Sequence, residues 1–249
     1  MSEVPTMSDR SSRPIAPTLV LTGAACVLLA LTFLFVRAER LQNPSEERST
    51  EELTQTVSQE MREAGEELAL RREDDPRAMG EVDAPVVMVV YSDYLCPFCG
   101  EWVRRTQPDI VEDYVFEGLL RIEWREFPYL GENSRTLALG AVAAAEQDAF
   151  WEYHARVYGS PEDFVGEDER VRERMETVAE ELGLDTERFM RDMESDATER
   201  AVEEDYGEGQ AMGVSGTPAF LINGDPVLGA QPLEAFTETI ELALRDEGR

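Results

Sequence analysis

One short segment of the sequence has an evident capacity for covalent chemistry, Cys96-Pro97-Phe98-Cys99. Two cysteines separated by two residues at the start of a helix can close a small disulfide. The first sulfur then lies beside the free N–H groups of the helix terminus, which favour its thiolate form. This spacing indicates thiol–disulfide exchange, with Cys96 as the exposed nucleophile and Cys99 as the shielded second thiol.

The remaining cysteines and histidines limit the alternatives for this segment. The chain has only three cysteines, at positions 26, 96 and 99, and a single histidine, His154. These are too few for a four-ligand zinc site or for a scaffold held by several disulfides, so we predict no metal. Thiol exchange also needs no cofactor. A purely structural Cys96–Cys99 disulfide is the alternative that stays open.

A second pair of residues, far along the chain, is suited to binding an extended peptide. Thr217-Pro218 directly precedes an apolar segment with strand character. A proline that opens a strand removes one ladder donor, and a cis bond before it would turn the Thr217 backbone outward. We therefore predict that Thr217 binds the substrate, together with Pro97 and Phe98, and that Pro218 acts in catalysis with the two cysteines. An ordinary trans proline at a strand edge is the alternative.

Hydrophobic patterning predicts the elements that must position these residues. The order is strand, helix bent at Pro108, strand, helical insert, hairpin and final helix. The strands are expected at 86–91, 119–127, 219–222 and 227–228, and the helices at 97–117, 134–147, 149–158, 170–182, 186–193, 197–212 and 232–244.

The amino-terminal part of the chain has a different character. Residues 15–36 include no charged side chain, and about 20 such residues in a helix cover the roughly 30 Å hydrocarbon core of a membrane. We predict a cytoplasmic tail at 1–14 and a transmembrane anchor at 15–36, with cleavage near Ala38 as the alternative. Residues 37–75 are polar and lack aromatic residues, which favours a helical or flexible stalk, either a solvated spacer or a short self-associating helix.

The overall charge excludes one class of partner. The chain has 53 acidic and 23 basic side chains, a net charge of −30, and every basic residue is an arginine. A protein with this charge does not bind nucleic acid electrostatically. The hydrophobic content of 42% indicates a substantial core, which we assign to one globular domain at 76–249.

Four segments in combination resemble the DsbA-like thiol:disulfide oxidoreductases over about residues 76–247. The resemblance implies an α/β, thioredoxin-like fold with a helical domain inserted at about 131–212. By position, Cys96 corresponds to the nucleophile of that family, Cys99 to its resolving cysteine, and Thr217-Pro218 to its cis-proline loop. The segments are VVMVVYSDYLCPFCG at 86–100, EFP at 126–128, FWEYH at 150–154 and GVSGTPAF at 213–220.

The sequence departs from this family at two positions that concern proton and thiolate chemistry. Phe98 stands where strongly oxidising members have a histidine, and Val90 stands where many relatives have a buried glutamate that accepts a proton. Water, Asp93 and Glu126 are the nearest candidates for handling the proton of Cys99. His154 is expected to be a packed or partly exposed helix residue.

The predicted mechanism is disulfide transfer to a substrate. A substrate thiolate attacks the Cys96–Cys99 disulfide, a mixed disulfide forms at Cys96, and a second substrate thiol releases the reduced enzyme. This chemistry needs a non-reducing compartment, which places the domain outside the membrane and the amino terminus inside. The resemblance implies exported cysteine-containing proteins as substrates and reoxidation by a membrane oxidase of the DsbB or VKOR type. A reductase or isomerase of the same fold, or a redox-inactive peptide-binding chaperone, are the alternatives.

Overall fold

The structure is a computed structural model that describes residue 59 and residues 63–248. The chain divides into two units, 1–57 and 58–249, and the described residues all belong to the second. The predicted tail at 1–14, the predicted anchor at 15–36 and most of the predicted stalk lie outside them. Within the described part of the chain, no helix combines the length and the apolar character needed to cross a membrane.

Five strands form one mixed sheet in the order β1-β3-β2-β4-β5. The central strands β2 and β3 are parallel and buried along their whole length, whereas the other neighbouring pairs are antiparallel. The four longer strands lie where the patterning predicts them, to within two residues. The two-residue β1 was not predicted because it is too short to show alternation. The strands are β1 Ala78–Met79, β2 Val86–Ser92, β3 Leu120–Glu126, β4 Ala219–Ile222 and β5 Asp225–Leu228.

The connection from β2 to β3 is a broken helix. Helix α1 spans Pro97–Arg105, and α2 spans Gln107–Ile110 and continues as a π-helical turn at Val111–Val115. The sequence predicted a bend at Pro108, but the break falls at Thr106. Pro108 occupies the first turn of α2, where its missing N–H group is not required, so the chain bends ahead of the proline.

A helical insert separates β3 from β4, and a last helix follows β5. Helix α3 forms the centre of the insert, and its Gly140 leaves room for Tyr153 and Met175, both of which would clash with a Cβ atom there. The last helix packs with α1 on one face of the sheet, where Phe236 contacts Trp102 and Phe220. The helices are α3 Glu132–Ala145, α4 Phe150–Gly159, α5 Asp168–Glu181, α6 Thr186–Met193, α7 Asp196–Ala211 and α8 Leu233–Asp246.

This arrangement is the thioredoxin-like α/β fold with inserted helices that the resemblance implies. The packed part of the chain also begins before Pro76. Glu123, on the sheet face away from α1, accepts hydrogen bonds from the backbone N–H groups of Leu70 and Arg71 at 2.9 and 2.8 Å. On the same face Arg125 donates to the carbonyl of Leu68 at 2.9 Å. The last residues of the predicted stalk therefore belong to the domain.

Two glycines in α7 allow a matched test of how this helix packs on the sheet. A Cβ atom on Gly209 would lie 2.8 Å from the Phe127 ring and 2.9 Å from the Tyr91 ring, whereas one on Gly207 would have no neighbour within 4 Å. We expect Gly209→Ala to destabilise the protein by about 1–3 kcal/mol through overpacking. Gly207→Ala is expected to stabilise it by roughly 0.5–1 kcal/mol, because alanine is the better helix former. Urea unfolding of both variants measures this difference, and equal effects would contradict the packing of α7.

Candidate active site

The two cysteines of the predicted motif lie at the beginning of α1. Cys96 is the N-cap residue, its carbonyl accepts the Gly100 N–H at 3.0 Å, and Pro97 occupies the first helical turn. Both cysteines are free thiols; Cys99 is fully buried, and Cys96 is only 7% exposed. Cys96 is therefore the more accessible sulfur, although it is less exposed than the sequence predicted.

The predicted peptide-binding pair covers the sulfur of Cys96. The Thr217-Pro218 bond is cis and directly precedes β4. In its thiol form, the Cys96 Sγ donates a hydrogen bond to the Thr217 carbonyl at 3.3 Å, across 121 positions of sequence. Beside it, Pro97 and Phe98 form an exposed apolar tip of α1, and the Phe98 side chain is 62% exposed. The fold thus brings all the predicted site residues to one place.

The two sulfurs have opposite pKa shifts. The hydrogen bond from Cys99 is the largest influence that lowers the pKa of Cys96, to about 6, and the Thr217 side chain and the N–H groups of Cys99 and Phe98 add to it. Burial, followed by the hydrogen bond with Cys96 and its charge, raises the pKa of Cys99 far above the ordinary thiol value. At neutral pH the reduced site consequently holds a Cys96 thiolate and a Cys99 thiol.

Two hydroxyl groups that the sequence did not single out lie under α1. The Ser92 hydroxyl is a hydrogen-bonding neighbour of the Cys99 sulfur, and it lies 2.8 Å from the Tyr158 hydroxyl. Ser92 and Tyr158 are each 1% exposed. Ser92 is the last residue of β2 and lies four positions before Cys96, so its position near the cysteines could have been predicted from the sequence. Nothing local to Tyr158 indicates that it reaches the site.

Asp93, one of the two acids considered for proton handling, has its carboxylate committed to hydrogen bonds. Its two oxygens accept from the backbone N–H groups of Leu95, Tyr129 and Leu130 and from the Ser134 hydroxyl, at 2.7 to 2.8 Å. These bonds join the loop after β2 to the loop after β3 and to α3. The carboxylate therefore holds the backbone of the site in place.

Glu126, the other acid, is the last residue of β3 and is 1% exposed. Burial, followed by the charge of Asp205, raises its pKa well above the ordinary value. The Tyr94 hydroxyl donates to its Oε1 at 3.4 Å. Glu126 thus lies in the buried part of the site as a carboxyl group that holds its proton more tightly than an exposed one.

His154 is packed among aromatic rings, as predicted. It is 3% exposed, and its ring centroid lies 4.4 Å from that of Trp124 and 4.8 Å from that of Tyr158. Burial lowers its pKa to about 3. His154 is therefore uncharged at neutral pH and contributes packing beneath the site.

The pKa of Cys96 can be tested directly, since thiolate absorbs in the ultraviolet. In the reduced wild-type protein we expect one thiolate transition with a midpoint near pH 6. Cys99→Ala should move this midpoint upward, because it removes the hydrogen bond that lowers the pKa most. Cys96→Ala is the control and should show no transition near neutral pH. A wild-type midpoint at the ordinary thiol value of about 8.5 would contradict the geometry.

Comparisons with known proteins agree with this fold and site. The sequence model of the thioredoxin family matches residues 72–242. The chain is 29% identical over 152 residues to "Probable disulfide bond formation protein D" of Bacillus anthracis, which covers 60% of this chain and 70% of that protein. The crystal structure of oxidised BdbD from Bacillus subtilis superposes with a TM-score of 0.63 at 23% identity, covering 70% of this chain and 94% of that one.

A further solved structure, α-DsbA1 of Wolbachia pipientis, has a TM-score of 0.63 at 20% identity, with 69% of this chain and 92% of that one covered. At these identities the two structures establish the fold. The family match extends over most of the chain and includes both cysteines and Thr217-Pro218. The chain therefore belongs to the thioredoxin family.

Proposed function

We propose that this protein transfers its Cys96–Cys99 disulfide to the cysteines of exported proteins outside the cytoplasmic membrane. The observation that carries the proposal is the unequal pair of sulfurs, in which a Cys96 with a pKa of about 6 lies against the Thr217 carbonyl and Cys99 is fully buried. Such a pair exchanges through one sulfur only. The names of the relatives, which are disulfide bond formation proteins, support the same activity.

The exchange proceeds in two steps with balanced electrons. A substrate thiolate attacks the Cys96 sulfur, the Cys96–Cys99 bond breaks, and its electron pair leaves with Cys99, which takes up a proton. A second substrate thiolate then attacks the substrate sulfur of the mixed disulfide and releases Cys96 as a thiolate. The substrate loses two electrons, and the enzyme gains them. Because its pKa is low, Cys96 is a good leaving group in the second step.

The proposed substrate site surrounds the Cys96 sulfur. Thr217 and Pro218 contribute the backbone against which an extended substrate peptide aligns, while Pro97 and Phe98 contribute apolar contact on the other side. A groove along residues 213–219 continues this surface to Leu228 of β5, whose side chain is 65% exposed. Alignment of the substrate cysteine in this groove favours in-line attack on Cys96.

A reductase or isomerase is the second candidate, and two features favour it. Phe98 has no side-chain donor for the Cys96 thiolate, and the chain has a net charge of −30, which opposes additional negative charge. Both features act against an extreme potential. A peptide-binding chaperone whose cysteines are not used in exchange is the third candidate, supported by the exposed apolar groove.

The proposed location is the outer side of the cytoplasmic membrane, with residues 15–36 as a single-pass anchor and residues 1–14 inside the cell. The part of residues 37–75 that precedes the packed segment at Leu68 is the proposed linker. The uncharged stretch at 15–36 supports the anchor. Thiol oxidation also requires a compartment without a reducing thiol pool. Reoxidation is assigned to a membrane oxidase of the DsbB or VKOR type, which accepts the two electrons from the reduced cysteine pair.

A redox titration against glutathione distinguishes the candidates. A pKa of about 6 for Cys96 lies between roughly 3.5 for DsbA and roughly 7 for thioredoxin, so we expect a potential between about −120 and −270 mV. A value above about −180 mV supports the oxidase and a lower one the reductase.

Cys96→Ser should abolish oxidation of a reduced model protein. Suppression of aggregation that survives replacement of both cysteines by serine, with no exchange in the wild type, would favour the chaperone.

The location is tested by adding protease to intact cells stripped of their wall. We expect digestion of residues 76–249, with a fragment containing residues 15–36 left in the membrane. A cytoplasmic protein serves as the control for cell integrity. Full protection of the domain would contradict the orientation, and a soluble form that begins near Ala38 would contradict the anchor.

A further inference from the structure

Glu126 lies beside Ser92 on the sheet face that α1 covers. In the parallel ladder of β2 and β3, Ser92 pairs with Glu126, and Val90 pairs with Trp124. Side chains alternate between the faces of a sheet, and paired residues on neighbouring strands, about 4.8 Å apart, share a face. Glu126 therefore reaches the same space from β3 that a carboxyl group at position 90 would reach from β2. This chain has valine at position 90.

The environment of Glu126 raises its pKa, although Arg77 and the Tyr94 hydroxyl act in the opposite direction. Burial is the largest influence, and the negative charges of Asp205 and Asp93 also raise its pKa. Arg77 opposes them, but its guanidinium is bound to Asp205 at 2.6 Å. The Tyr94 hydroxyl donates to the carboxyl group. The remaining titratable neighbours are phenols, whose own pKa values the Glu126 charge raises: Tyr153 and Tyr158.

Buried hydrogen bonds lead from Cys99 as far as Tyr158, whose pKa the charge of Glu126 raises. The Cys99 sulfur neighbours the Ser92 hydroxyl, and that hydroxyl lies 2.8 Å from the hydroxyl of Tyr158. Charges on Cys99 and on Glu126 both raise the pKa of Tyr158, although burial is the larger cause. Cys99, Ser92, Tyr158 and Glu126 are each at most 1% exposed. A proton that enters or leaves Cys99 in the folded protein therefore starts from these groups.

We propose that Glu126 is the proton reservoir for Cys99 and that the hydroxyls of Ser92 and Tyr158 conduct the proton between them. This role rests on the thiol exchange proposed above. When a thiolate attacks Cys96, the departing Cys99 sulfur takes a proton through the hydroxyls, and Glu126 becomes a carboxylate that faces Arg77. Water then returns a proton to Glu126. During reoxidation, Cys99 attacks the disulfide at Cys96, its proton passes through the same hydroxyls to Glu126, and Glu126 passes its own proton to water.

Other buried groups near the site do not fit this role. The Asp93 carboxylate already accepts four hydrogen bonds from the loops and α3. His154 has a pKa of about 3, so it holds no proton to donate at neutral pH. Asp205 is bound to Arg77 and to the N–H group of Glu126, and its effect on the site is exerted through the pKa of Glu126.

The test is the rate at which reduced glutathione opens the Cys96–Cys99 disulfide, followed by stopped-flow fluorescence and corrected for the glutathione thiolate concentration. In the wild-type protein the corrected rate constant should fall as the pH rises through the pKa of Glu126, because the protonated acid is the donor. Glu126→Gln should be at least tenfold slower at neutral pH and independent of pH. Asp205→Asn should keep the fall in rate but move it to lower pH, since one raising charge is removed.

Glu123→Gln is the matched control. Glu123 is the preceding acid on β3 and is equally buried, but it lies on the opposite face, where Leu70, Arg71 and Arg121 donate to it. Its loss should lower stability and leave the rate and its pH dependence unchanged. A merely structural role for Glu126 would give the same result in Glu126→Gln.

Two further variants keep the proposal falsifiable where Glu126→Gln does not fold. Tyr158→Phe keeps the ring and removes one hydroxyl, and Ser92→Ala removes the other; each should slow opening at least tenfold. If Glu126→Gln, or both hydroxyl variants, show the pH profile of the wild-type protein, the proposed role of Glu126 is wrong. The proposed exchange activity would not be affected by that result. A wild-type protein that does not react with glutathione overturns the proposed function and this role together.

Discussion

The parallel pairing of β2 with β3 is the constraint on which the rest of the site depends. Because the strands run in the same direction, both end at one edge of the sheet, with Ser92 beside Glu126. The antiparallel β4 begins at that edge, where Ala219 pairs with Tyr91. The loop after β2, the end of β3 and the residues before β4 must therefore meet. Cys96 follows β2 by four positions, so the sulfur, the buried acid and the Thr217 carbonyl come together.

The two faces of β3 show how the number of donors decides the state of a buried acid. On the face away from α1, burial opposes ionisation of Glu123, but the N–H groups of Leu70 and Arg71 and the guanidinium groups of Arg121 and Arg125 lower its pKa below the ordinary value. On the other face, Glu126 receives one long hydrogen bond from Tyr94 and lies near further acids, so its pKa is raised. One strand thus supports an ionised carboxylate that binds backbone and a protonated one beside the thiols.

The helical insert contributes side chains to the buried part of the site, around Ser92 and Trp124. Helix α4 contributes the Tyr158 hydroxyl, and its His154 packs against Trp124 of β3. The Tyr94 ring, in the loop before Cys96, lies 4.8 Å from the Tyr158 ring between centroids. These contacts seal Cys99 from solvent, and burial is the largest cause of its raised pKa. The difference between the two sulfurs therefore depends on the insert as well as on the start of α1.

Local patterns in the sequence were sufficient to predict the four longer strands, the helices and the cysteine pair at a helix start. Periodicity and turn residues act over a few positions, so a single sequence contains them. The two-residue β1 and the break at Thr106 depend on tertiary pairing and packing, and the patterning missed them. Only the tertiary structure decided that the Thr217 carbonyl covers the Cys96 sulfur, that Asp93 fastens two loops and that Tyr158 reaches Ser92. Each of these contacts joins segments that are distant in the chain, and no local periodicity records which distant groups a folded sheet brings within hydrogen-bonding distance.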